Sequence, residues 1–207
     1  MRSAKQVLSL LRTQPRYACA AWGFICRGEV LSGGVGGRCT LTCSEGAGVY
    51  VIEVTAGGTD WFVPYAPGMA GHCDVPRGMP NGTLVVTYPM NGCALEVHSN
   101  GAANRFYHDA DGSHMPNLSG ATAKCRIDIS LYEGFGARAE TIFSRYTDSD
   151  ARIFQQNFEH TIICVKTGVN WNVYQTAVVT TICMRDGQRE FWQIKHGPPV
   201  HLGVFED

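Results

Sequence analysis

The apolar positions change period several times along the chain, and each change marks an element. Between Ala4 and Thr13, Val7, Leu8, Leu10 and Leu11 fall on one side of a helical spiral. This predicts a short amphipathic helix, stopped before Pro15, whose ring cannot continue one. Short extended runs broken by glycine follow: YACAAWGFIC, RCTLTC, GVYVIEV and DWFVPY. Among them, residues 32–37 (SGGVGG) have no Gly-Lys-Ser/Thr ending and open no helical pattern. They read as a flexible turn rather than a phosphate loop. Glycines, prolines and His72-Cys73 predict a long loop over 66–82, and TLVVTY at 83–88 reads as a strand.

Further along, Ile153, Phe154, Phe158, Ile162 and Val165 stand at helical spacing, with Ser149 as a cap and Gly168 just past the end. The pattern predicts the chain's one long helix over 149–166. The C-terminal part, WNVYQTAVVTTICMR-DG-QREFWQIKH, predicts a long β-hairpin turning at Asp186-Gly187. Strands, loop, helix and hairpin without alternating βαβ units indicate an α+β fold with a mainly antiparallel sheet or sandwich. At 207 residues without repeats, the chain is expected to form one catalytic domain over 1–207.

Composition narrows the partners. Seventeen basic and eighteen acidic residues give a net charge of -1, which argues against nucleic acid or an anionic membrane, since both want a basic surface. No apolar run reaches the ~18 residues of a membrane span, and the N-terminus lacks the apolar stretch of a secretory signal. The nine cysteines are odd in number and contain no CxxC. They are expected to be buried thiols in a reducing compartment, not disulfides or a zinc site.

One stretch carries candidate chemistry: NGCALEVHSNGAANRFYH, residues 91–108. If Asn100-Gly101 is a two-residue hairpin turn, Glu96 faces Arg105, Leu95 faces Phe106 and Cys93 faces His108. Directly opposed residues have Cβ atoms ~4.5–5.5 Å apart, so the thiol and imidazole would be within reach. The rival pair fails the same test. Across Asp186-Gly187, Cys183 faces Glu190, which leaves His196 roughly 20 Å away at ~3.3 Å per residue.

An imidazolium beside Cys93 would lower its thiol pKa, and Gly92 would let the backbone turn and leave room for a substrate carbonyl. The Cys93 amide could then donate to an oxyanion. The residues alone leave two readings open, a nucleophile with its base or two strand residues that share a hairpin. His98 falls on the opposite face from Cys93. His72, His114 and His201 read as loop residues and His160 as the polar side of the helix. Asp109 and Asp111 either orient His108 or belong to an ordinary polar turn.

Leu84-Val-Val-Thr87-Tyr88-Pro-Met-Asn-Gly92-Cys93, followed by Val97, Gly101 and Tyr107-His108, resembles the catalytic core of the glutamine-deamidating toxins. That family includes the cytotoxic necrotizing factors and the Burkholderia lethal factor. The resemblance is specific over residues 84–109; where the family has serine two positions before its cysteine, this chain has Asn91. It implies a β-sandwich core flanked by helices and long loops, with Cys93 as nucleophile, His108 as base and Thr87 as a further active-site residue. It also implies no cofactor or metal, and a glutamine of a host protein as substrate, such as a Rho-type GTPase or a translation-initiation helicase. The protein would be a monomeric toxin or effector, made in a bacterial cytoplasm and delivered to a host cytosol. Alternatives are a transglutaminase or cysteine peptidase with the same pair, or a non-enzymatic β-sandwich binding module.

Overall fold

Ser3 starts the first helix as a capping box. Its hydroxyl accepts from the Gln6 amide at 3.3 Å, and the Gln6 side chain accepts from the Ser3 amide at 2.8 Å. Such a cap is typically worth ~1 kcal/mol. Helix α1 (Ala4–Thr13) has the bounds that its apolar stripe predicts, and it buries Val7 and Leu11. A second helix, α2 (Pro15–Ala21), follows at once where an extended run was expected. Pro15 begins it because a first-turn position needs no amide hydrogen. The computed structural model describes residues 2–28, 34–46, 49–115, 122–132, 152–185 and 187–207.

The strands, in chain order, begin with β1 (Phe24–Gly28), β2 (Gly37–Glu45), β3 (Tyr50–Ala56), β4 (Asp60–Val63), β5 (Ala70–Pro76) and β6 (Leu84–Thr87). They continue with β7 (Ala94–Asn100), β8 (Ala103–Asp109) and β9 (Cys125–Ile127), then the short helix α3 (Ile129–Tyr132). The last three strands are β10 (Arg152–Thr167), β11 (Asn170–Arg185) and β12 (Gln188–Glu206). Eight of them form one sheet in the order β1-β3-β2-β4-β6-β10-β11-β12, and β5-β8-β7-β9 form a second. Pairing is antiparallel except at β1/β3 and β4/β6. This is a sheet-rich α+β fold.

The centre of the large sheet is buried on both faces. On one side α1 and α2 cover Phe24, Leu41, Ile52, Phe62, Val86, Ile163 and Val165. On the other, Val85, Ile162, Cys164, Trp171 and Val173 meet Val75, Leu95, Val97, Phe106 and Ile127 of the small sheet. Phe106 joins the two sheets, packing edge-on against Trp171 and Phe205 with ring centroids at 5.8 Å. The layers are thus helices, large sheet, small sheet. Arg12 ties the first two, donating to both oxygens of buried Asp60 at 2.6 and 2.5 Å while Asp60 also accepts from the Leu84 amide.

Three sequence expectations are corrected. The helix over 149–166 is absent from the described part of that range, 152–166, which belongs to strand β10; residues 149–151 lie outside the described residues. Helical spacing misleads here because β10 is a central strand that needs apolar residues on both faces. Ile163 and Val165 enter the helix-side core, while Ile162 and Cys164 enter the other. The expected loop over 66–82 contains β5, and His201 lies in β12 with its Nε2 3.2 Å from the Asn172 Oδ1. The C-terminal hairpin has the expected register, Arg185 opposite Gln188 and Cys183 opposite Glu190. Its Asp186 lies outside the described residues, as do residues 32 and 33 of the glycine-rich turn.

Candidate active site

The β7–β8 hairpin turns one step later than its sequence suggests. Asn100 pairs with Ala103, so Gly101 and Ala102 make the turn, with Gly101 at a φ of 58°. Every partner moves by two residues. Leu95 faces His108, Glu96 faces Tyr107 and Val97 faces Phe106. The charges explain the preference. Arg105 forms a two-point bond to Asp74 on β5 at 2.7 and 2.6 Å, and Glu96 is held by Arg126 on β9.

A shift of two preserves the face of every side chain. Cys93 lies one residue before the first paired residue of β7 and shares the core face with Leu95. Cys93 and His108 are therefore diagonal neighbours on one face, a relation with backbones ~7–8 Å apart, and not the directly opposed pair expected. His98 is on the other face, as predicted, yet it is buried, with its Nε2 2.7 Å from the Glu96 carboxylate.

Thr87 ends β6 in the large sheet and reaches across to the small one, where its hydroxyl hydrogen-bonds Nδ1 of His108. The imidazole is fully buried, and its Nε2 has no hydrogen-bond partner among the described residues, Cys93 included. Burial pushes the His108 pKa down to about 4, only partly opposed by the Asp109 carboxylate. The ring is thus neutral near pH 7. Burial likewise raises the Cys93 thiol above its ordinary range. The Asn91 backbone amide counteracts this by hydrogen-bonding the sulfur, while Asp111 and Asp109 add to the rise. The expected imidazolium-lowered thiolate is absent in this resting arrangement; both partners are neutral.

Cys93 is only 6% exposed, yet it reaches a cleft. It lines an open cleft of about 340 Å³ with Tyr65, Tyr88, Pro89, Asn91, Ala110 and Asp111. Tyr65, which lines the cleft, packs edge-on against His108 with ring centroids 5.4 Å apart. Gly92 has a φ of 88°, and a Cβ there would meet nothing within 4 Å. The left-handed backbone, not crowding, is what requires glycine. The Cys93 carbonyl accepts a 2.5 Å hydrogen bond from the Tyr132 hydroxyl.

No protein-family model matches the chain, and no curated protein does. The site is described by its own geometry.

The other candidates have structural partners. The buried Asp109 carboxylate accepts from the amides of His114 and Met115, each at 2.8 Å, so it builds the turn after β8. His160, expected on a polar helix face, is buried in β10 with Nδ1 2.7 Å from the Gln175 amide nitrogen. His72 belongs to β5. All eight described cysteines are free thiols, six of them buried. Among the described residues no three His, Cys, Asp or Glu side chains converge on a metal site, and none of the helices is long and apolar enough to cross a membrane. Sequence reasoning missed Tyr65 and Tyr132. Tyr65 ends the run DWFVPY, where its position after a strand carries no distinguishing signal, and Tyr132 lies 39 residues from the cysteine it touches.

Proposed function

We propose that this protein is a cysteine-dependent amidohydrolase that converts a glutamine of a host protein to glutamate. One observation carries the reading: Cys93 opens onto a cleft on the same sheet face as His108, whose Nδ1 is engaged by Thr87 and whose Nε2 is unpartnered among the described residues. The resemblance of residues 84–109 to the glutamine-deamidating toxins supports it, and with it a cytotoxic necrotizing factor-like fold and delivery into a host cell.

The neutral resting pair dictates the order of steps. With Nδ1–H donated to Thr87 Oγ1, Nε2 carries the lone pair and acts as base. Nε2 takes the thiol proton as Sγ attacks the carboxamide carbon, so charge develops only when substrate is present. The tetrahedral oxyanion forms beside the backbone amides of the 91–93 turn. The imidazolium then protonates the departing nitrogen, ammonia leaves and a thioester remains. Water, losing a proton to the same Nε2, attacks the thioester; the carboxylic acid forms and Sγ regains its proton. The balance is carboxamide plus water giving carboxylate and ammonium, with no cofactor. A transglutaminase would share the thioester and deliver an amine in place of water.

A second reading, a binding module with an inert cysteine, draws on the burial that suppresses both ionised forms. Mass spectrometry of host-cell proteins incubated with wild type and with Cys93→Ala separates the readings. Glutamine-to-glutamate conversion at specific sites is expected with wild type alone. Identical peptide maps from the two proteins would discard the enzyme.

A further inference from the structure

The nucleophile sits in a short irregular segment, and what fixes it is not in the Cys–His–Thr set. Residues 88–93 connect β6 to β7, and only Met90 forms a strand-like bridge. Its amide donates to the His160 carbonyl at 2.7 Å, and the His160 amide donates back at 3.2 Å. Beyond Met90, Asn91 is exposed and Gly92 occupies a left-handed conformation where a Cβ would meet nothing within 4 Å. Within that two-residue turn only the Asn91 amide touches Cys93, at its sulfur, and nothing there holds the Cys93 backbone. The aim has to come from the far end.

Tyr132 supplies it. The residue is 1% exposed at the end of α3, and its hydroxyl donates to the Cys93 carbonyl at 2.5 Å. Fixing that carbonyl fixes ψ of Cys93 and hence the direction of its Cα–Cβ bond, which leaves the sulfur only its χ1 rotation. Tyr132 and the Met90 anchor also belong to one buried unit. The Gln175 side-chain nitrogen lies 2.7 Å from His160 Nδ1 and donates to the Tyr132 carbonyl at 3.4 Å. The Tyr132 and His160 rings pack at 5.0 Å. The two ends of the nucleophile turn are thus referenced to a single buried scaffold on β10, β11 and α3.

We infer that Tyr132 is a positioning residue for the nucleophile: through the Cys93 carbonyl, its hydroxyl holds the thiol at the cleft on the side of His108. The role rests on Cys93 being the nucleophile, but the held geometry can be measured without any substrate. Removing the hydroxyl frees the carbonyl to turn and leaves its negative end without the donor that offsets it. The thiol should ionise less readily and spend less time facing the base.

The test is Tyr132→Phe in the full chain, which keeps the ring and its packing. Two readouts are taken: the pH profile of iodoacetamide modification at Cys93, resolved by peptide mapping, and kcat and KM for glutamine deamidation. Modification of Cys93 is expected to slow about fivefold or more with its midpoint moved to higher pH, while the other cysteines keep their rates. The kcat should fall about tenfold to a hundredfold with KM unchanged, the mark of misplacement rather than lost binding. An unchanged Cys93 profile and unchanged kcat overturn the inference, whatever happens to the melting temperature. If wild type deamidates nothing, the enzyme reading fails, yet a shifted Cys93 profile in Tyr132→Phe still supports the positioning role and an unshifted one removes it. Should Tyr132→Phe not fold, Gln175→Met loosens the same scaffold from behind. Slower Cys93 modification in it supports the inference, and a wild-type profile overturns it.

Discussion

His108 makes the stability of the protein depend on pH in a direction that can be worked out. Its ordinary value of 6.5 falls to about 4 in the folded state because burial penalises the imidazolium. Above the ordinary value both folded and unfolded chains hold a neutral ring, and His108 contributes nothing to the pH dependence. Between 6.5 and about 4 the unfolded chain binds a proton that the folded one refuses, so stability drops as pH falls through that window. Below about 4 both are protonated and the full penalty is in place. The gap corresponds to about 3 kcal/mol at its limit, and to about 2.5 kcal/mol between roughly pH 7 and pH 4.5. That is a large fraction of the ~5–15 kcal/mol that holds a domain together. Urea denaturation at the two pH values, on wild type and on His108→Gln, isolates the effect. The glutamine can still engage Thr87 but does not titrate, and carboxylates elsewhere cancel in the comparison. Wild type should lose about 2.5 kcal/mol more than the variant on acidification, with unchanged m-values. Parallel losses, within about 0.5 kcal/mol, would show that His108 titrates as if exposed, and the sealed neutral base would be wrong.

Iodoacetamide should modify Cys93 first among the eight described thiols, because it alone of them lines the cleft beside a hydrogen-bonding amide; peptide mapping that finds Cys43 or Cys125 ahead of it would contradict this. His108→Ala should lower deamidation by ~10²–10⁴, measured as ammonia release, while circular dichroism shows a native fold. His98→Ala should keep activity but cost about 1–3 kcal/mol in urea denaturation, since it removes a buried partner of Glu96. Thr87→Val should leave KM unchanged and reduce kcat about tenfold to a hundredfold, because His108 Nδ1 loses its hydrogen-bond partner. Asp207→Ala should destabilise by about 2 kcal/mol without affecting activity, as Trp171, the Gly78 amide and buried Lys166 all lose an acceptor; an unchanged denaturation midpoint would count against that network.

What the sequence discloses depends on how local the deciding forces are. Helix α1 is legible because its cap, its stripe and its stop all lie within fifteen residues, from Ser3 to Pro15. The C-terminal hairpin keeps the register read from its sequence from the turn as far as Ala177 opposite His196, beyond which two irregularities shift it. Strand β10 is not legible. Its burial on two faces is a property of its neighbours, and the resulting apolar run imitates a helix. The β7–β8 register is missed by two because its charged partners lie on β5 and β9, outside the hairpin. That error spared the site, since a shift by an even number keeps Cys93 and His108 on one face. Protonation was beyond reach for the same reason. The burial that keeps His108 neutral comes from strands spread along much of the chain.

The hydrogen bond between Thr87 and His108 crosses between the two sheets, for Thr87 belongs to β6 and His108 to β8. Neither sheet contains the proposed machinery by itself, so the machinery comes into being only when the sheets close on Phe106, Trp171 and Phe205. Recovery of activity during refolding should therefore lag behind the formation of secondary structure and coincide with burial of the tryptophan. It also follows that a ligand in the cleft would favour the docked pair of sheets and slow their separation. The proposed chemistry would serve as a clock for the last event in folding.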